Sequence, residues 1–235
     1  MKRSFCILLI AASAYYFLFS AVRFNQNVST AAMAALPTTV IVDAGHGGED
    51  GGAASASGVQ ESHLNLQIAL RMEQLLALCG MEPMLIRETD VSVYTGSCNT
   101  LSEKKASDLK NRVRMVNDIP NGLLISIHQN HFSQNQYSGA QVFYAATDGS
   151  RTLAQEVQNE LRTALNNDNR RGVKEASSVY LMQHINCVGI LVECGFLSNP
   201  EEAHLLQQDV YQKKLVCAVC GAVSRYLEGT KQNEV

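Results

Sequence analysis

Three short apolar runs, each closing on a side chain that can bind a metal or move a proton, constrain this chain more than any other feature. Thr39 to Val42, within TTVIVDAGHGG, runs into a glycine-rich loop carrying His46. LLISIH ends at His128, and VGILVE ends at Glu193. β-Branched runs closed by Asp and Gly read as strands. Helix-periodic segments stand between them. The expected fold class is therefore α/β: one domain, a mainly parallel twisted sheet, and helices on both faces. In such a sheet ligands bind at the carboxyl ends of the strands.

The intervening elements follow from period and punctuation. Glu61 opens a helix whose stripe is Leu64, Ile68, Met72, Leu75 and Cys79, closed by Gly80. Residues 82–87 read as a strand. Residues 89–107 form a long polar connection, of a length that usually marks a functional or mobile segment. A second helix is expected over 108–117, with Asp108 as its N-cap or first-turn acid. A strand over 139–145, a helix over 153–165, a short strand over 179–181 and helices over 200–206 and 210–227 complete the pattern. The tail beyond Gly229 reads as frayed.

The N-terminus is a separate piece. Lys2 and Arg3 precede an uncharged run from Phe5 to Val22, and eighteen residues just suffice to cross a bilayer core. Residues 1–36 read as a retained anchor plus linker, with the catalytic domain over 37–235. A cleaved secretory signal, with Ala32-Met33-Ala34 as its processing site, is the alternative. Either reading places the domain outside the cytoplasm, because Lys2 and Arg3 stay inside. A net charge of -3 provides no basic footprint and argues against nucleic acid. The seven cysteines are scattered. Cys217 and Cys220 form a CxxC inside a helical run and read as packing residues.

His46, Glu61, His128 and Glu193 form the candidate site. A catalytic zinc takes three protein ligands and keeps one position open. His46 and His128 end neighbouring strands, and Glu61 opens the helix after the first loop, so all three can meet above the sheet edge. Glu193 interrupts an apolar run, where a charge must be paired, metal-bound or functional; its place at a third strand end suits a general base. His63 lies about 200° around the helix from Glu61 and cannot share its metal.

The chain also resembles a known family. D-A-G-H-G-G, Glu61, S-I-H-Q-N at 126–130 and V-E-C-G-F-L-S-N-P at 192–200 are similar to the zinc-dependent N-acetylmuramoyl-L-alanine amidases. Arg87 with Thr89 and Asp90, the L-x-x-R-x-x-x-V-N helix from Leu109 to Asn117, and Arg171 to Lys174 add to the likeness. The resemblance implies that His46, Glu61 and His128 bind one Zn2+ and that Glu193 is the catalytic base. The substrate it implies is the amide between N-acetylmuramic acid and L-alanine in peptidoglycan. A lone catalytic domain behind a hydrophobic segment resembles the family's germination-specific branch, which implies spore cortex, muramic-δ-lactam formation and a localising or activating partner protein. A peptidoglycan-binding module without activity and a zinc peptidase acting on the stem peptide are the rival readings. The family usually has proline where Ala44 stands and a small residue where His131 stands. His131 is thus a substrate contact, a pH-sensitive neighbour or a surface residue. Asn130 is a further candidate substrate contact. Arg112 is another, though a structural ion pair suits it better.

Overall fold

The computed structural model describes residues 38–233 except 167. The proposed anchor and linker lie outside the described residues. Among those described, no helix is long and apolar enough to cross a membrane.

Six strands form one sheet in the order β2-β1-β3-β6-β4-β5. They are β1 (Thr39–Ala44), β2 (Glu82–Leu85), β3 (Gly122–Asn130), β4 (Gln141–Tyr144), β5 (Lys174–Glu175) and β6 (Val188–Phe196). β1 pairs in parallel with β2 and β3, and β3 with β6; β4 runs antiparallel to β6. The helices are α1 (Glu61–Leu78), α2 (Leu101–Asn117), α3 (Ser150–Leu165), α4 (Tyr180–His184), α5 (Pro200–Leu205) and α6 (Asp209–Asn233).

The apolar strands are buried on both faces, which is why they read as continuous hydrophobic runs. Val40, Val42, Leu123, Ile125, Ile127, Ile190 and Val192 point into one core, shared with α1, α3 and α6. Ile41, Leu124 and Leu191 point the other way, into a smaller core under α2 and α4. Each such side chain, fully withdrawn from water, contributes roughly 1.5–3 kcal/mol. On α1 the buried stripe is Leu64, Ile68, Met72 and Leu76. Ala69 is buried beside them, Leu75 only packs against this core, and Cys79 is exposed.

Several expected boundaries move. α2 begins at Leu101, not Asp108, because Thr100 and Glu103 form a reciprocal capping box. Asp108 is therefore mid-helix, paired with Arg112 one turn on. Residues 179–181 do not form a strand: Val179 is the N-cap of the short helix α4, and the neighbouring strand lies at Lys174–Glu175. A three-residue apolar run is too short to show which period it follows. The expected frayed tail is instead helical through Asn233. Strands β2 and β4 are shorter at their ends than the apolar runs that announce them. Cys217 is exposed and Cys220 buried on α6, both as free thiols.

Candidate active site

The parallel pairing of β3 with β6 sets His128 directly beside Glu193. One residue later the register slips, so Asn130 pairs with Phe196. Such an irregularity ends regular pairing where the side chains must splay. Both groups point to the α2 side of the sheet, the side that also carries Asp43 and Ser126, which pair across β1 and β3.

His46 arrives from the loop after β1. Its backbone is left-handed at φ 62°, an uncommon conformation for a residue with a Cβ. The loop is held down by Arg87, whose guanidinium donates to the carbonyls of Ala44, Gly45 and Ser62. Two glycines make room for the site. A Cβ on Gly45 would lie 2.3 Å from the His128 ring, and one on Gly52 would lie 2.5 Å from a Glu61 oxygen.

Glu61, in the first turn of α1, meets both histidines. Its Oε1 lies 3.0 Å from Nδ1 of His128, and its Oε2 lies 3.4 Å from Nε2 of His46. The two imidazole rings stand edge-on at 5.1 Å. Backbone N–H groups aim the carboxylate: Ala53 donates to Oε2 and Gln129 to Oε1. Buried Asn65, one turn along α1, donates to Gly45 O and to Glu61 Oε1, and accepts from Gln129. Asn65 and Gln129 escaped the sequence reading. The spacing of Asn65 four residues after Glu61 is the signal that could have found it.

Electrostatics follow from this crowding. Burial alone would raise the Glu61 carboxyl, but hydrogen bonds from His128 and His46 outweigh it and hold it well below the carboxylate range. Burial alone would lower His46, but Glu61 and Asp50 raise it to about 9. Among the described residues, ligand atoms of His46, Glu61 and His128 lie within 4.8 Å of one another. Glu61 has no lysine or arginine partner there; its counter-charges are two histidines that are cationic only when protonated. Two imidazoles and a carboxylate sharing protons are a donor set that a divalent cation fits. Beside them Glu193 differs. Burial, reinforced by the nearby Glu61 charge and opposed by the histidines, raises its carboxyl to about 7, and its Oε2 is buried without a hydrogen-bond partner.

The other candidates separate. Arg112 is 2% exposed. Its Nε and Nη groups donate to Asp108, Asp43, Ala44 O and His46 O, which engages the whole guanidinium. These contacts are those of a structural ion pair, and the same side chain borders the cleft over the site. Burial alone would raise Asp43, yet Arg112 and the Ser126 hydroxyl hold it low. Asn130 is half-buried and His131 exposed at the end of β3. His63 lies at the surface, 3.1 Å from Asp90. Cys194 is buried, and its thiol is pushed up by burial, so it stays protonated. A cleft of about 250 Å³ opens over His46 and His128, walled by Leu109, Val179, Leu181 and Leu191.

The family model for N-acetylmuramoyl-L-alanine amidase, Amidase_3, matches residues 40–225. The germination-specific N-acetylmuramoyl-L-alanine amidase of Bacillus subtilis is 37% identical over 188 residues, which are 80% of this chain and 78% of that protein. The CwlD amidase of Clostridioides difficile, solved in complex with the GerS lipoprotein, superposes with a TM-score of 0.78 at 37% identity, covering 81% of this chain and 98% of that one. An N-acetylmuramoyl-L-alanine amidase of Clostridium difficile 630 superposes with a TM-score of 0.71 at 31% identity, covering 82% and 97%. A family model that matches residues 40–225, relatives of 37% identity and a superposable fold therefore carry one conclusion: the chain belongs to the N-acetylmuramoyl-L-alanine amidases.

Proposed function

We propose that the domain hydrolyses the amide between the lactyl group of N-acetylmuramic acid and L-alanine, with one zinc held by His46, Glu61 and His128. Glu193 is the proton-transfer group. The observation that supports this most is the register of β3 and β6, which sets an unpartnered carboxylate beside the donor cluster. Zinc, when bound, supplies Lewis acidity toward the carbonyl and activates water. The protein does the rest. Ala53 and Gln129 fix the Glu61 oxygens. Glu193 takes a proton from the attacking water and returns it to the alanine nitrogen as the C–N bond breaks. Burial raises this carboxyl above the ordinary carboxylate range and leaves one oxygen unpartnered, so it can accept a proton and give it up again. Leu109, Val179, Leu181 and Leu191 give the cleft an apolar wall. Asn130, which ends β3, and His131, which follows it, are our candidate substrate contacts on the strength of their nearness in sequence to His128.

The likeness to a germination-specific amidase supports spore-cortex peptidoglycan as the substrate. Loss of the peptide stem then leaves muramic acid open to a deacetylase that forms muramic-δ-lactam. Residues 5–22 tether the domain to a membrane, outside the cytoplasm, in the space between forespore and mother cell. The relative solved with a lipoprotein supports a protein partner here too.

Zinc content and muropeptide release, measured for the purified protein beside Glu193→Ala, test the assignment. Zinc in both, with new alanine N-termini only from the unmutated protein, is expected. Zinc lost in the variant would make Glu193 a ligand. A cut within the stem would favour a peptidase, and zinc without any cleavage a binding module.

A further inference from the structure

One of the two contacts that set the His46 ring comes from outside the donor cluster. Asp50 lies across the Gly47–Gly48 turn, with its Oδ2 2.9 Å from Nδ1 of His46. Nε2 of the same ring faces Glu61. The two carboxylates occupy opposite nitrogens, so Asp50 stands behind the ligand rather than among the donors. Its other oxygen, Oδ1, lies 2.8 Å from Lys105 Nζ on α2. Reciprocal backbone hydrogen bonds between Gly47 and Asp50 close the turn. One residue along each segment, Lys104 reaches Glu49 at 2.7 Å. Two successive acids of the loop are thus held by two successive lysines of the helix.

We infer that Asp50 and Lys105 form a positioning relay for the metal centre. Asp50 accepts the Nδ1 proton of His46 and leaves Nε2 as the metal-facing lone pair, while Lys105 holds Asp50 in that pose from α2. The inference rests on the metal reading above. A neutral imidazole has one N–H and one lone pair, and the partner of one nitrogen decides the role of the other. A carboxylate behind a ligating histidine also makes the ligand more basic. The His46 backbone sits in a left-handed conformation between glycines, where the chain alone constrains the ring little. Lys105 also lines the cleft, so the first turns of α2 belong to the frame of the metal centre.

The test uses the full chain in detergent, with zinc affinity read by competition against a chromophoric chelator. Selective labelling of histidine nitrogens reads the Nδ1 proton of His46 in the zinc-loaded protein. Asp50→Ala is expected to bind zinc roughly 10- to 100-fold more weakly and to lose the downfield, slowly exchanging N–H resonance. Asp50→Asn, which retains an acceptor oxygen without the charge, is expected to fall between, and it decides the matter where the alanine variant melts early. Lys105→Met is expected to keep the resonance, shifted, with a smaller loss of affinity. Unchanged affinity and an unchanged resonance in both Asp50 variants would overturn the relay while leaving the metal reading standing. Failure of the unmutated protein to take zinc would overturn both.

Discussion

Glu193 is the residue where environment decides chemistry. Its carboxyl is raised to about 7 from an ordinary value of 4.5, chiefly by burial. The folded state therefore holds a proton between those values that the unfolded chain has released. The metal-free protein loses stability as pH rises from 4.5 to 7 on this account, and the loss is complete above 7. Glu193→Gln removes it, so at pH 8 the metal-free variant is expected to be about 1–3 kcal/mol more stable than the parent. The difference should vanish below pH 4.5, as chemical denaturation at both pH values would show. The same substitution should lower kcat roughly 10²- to 10⁴-fold without removing zinc. A cation among His46, Glu61 and His128 favours the ionised form of Glu193, so the acid limb of kcat/KM in the loaded enzyme should fall below pH 7. A limb above 7 in a pH–rate profile would contradict this. Arg112 stands at the opposite extreme, with its guanidinium wholly engaged by acids and carbonyls. Arg112→Met strands two acids, one of them fully buried, and should cost about 3–5 kcal/mol, read by denaturant unfolding.

Loops and helix ends carry the site at the next scale. Gly45 lies where a methyl group would enter the His128 ring. Gly45→Ala should displace that imidazole and lose zinc and activity together, measurable by metal content after dialysis. Retention of zinc at the parent's level would show that the ring can move without cost. α2 depends on its capping box, so Thr100→Ala should cost about 1 kcal/mol with hydrolysis in solution little changed, seen as a lower denaturation midpoint. The segment after β2 is tied to α2 by Asp108 and Asn111, which hold the backbone of Val93.

At the scale of the whole molecule, the zinc proposal predicts a coupling of metal to fold. Zinc that binds only the native cluster stabilises it by mass action. Chelation should lower the melting temperature and abolish hydrolysis, and added zinc should restore both. Deleting residues 1–36 should spare hydrolysis of isolated peptidoglycan and impair function in cells. Equal function in cells would remove the tethering proposal.

The sequence alone determined which side chains could do chemistry, because an ionisable group at the end of an apolar strand has few reasons to be there. His46, His128 and Glu193 were legible for that reason, and Glu61 from its place at a helix start. The class of sheet followed from the alternation of strand and helix patterns. Residues that act through others left no such mark. Asp50, Asn65, Gln129 and Lys105 are ordinary polar residues in sequence, and their roles arise only where the fold aims each one at a partner distant in the chain or across a glycine turn. Helix α2 was misplaced at its start for a local reason, since its first turns are polar and only the Thr100–Glu103 cap marks them. The register of β3 against β6 was decided by tertiary structure alone. That pairing joins residues far apart in sequence, and it alone brings the carboxylate of Glu193 beside His128.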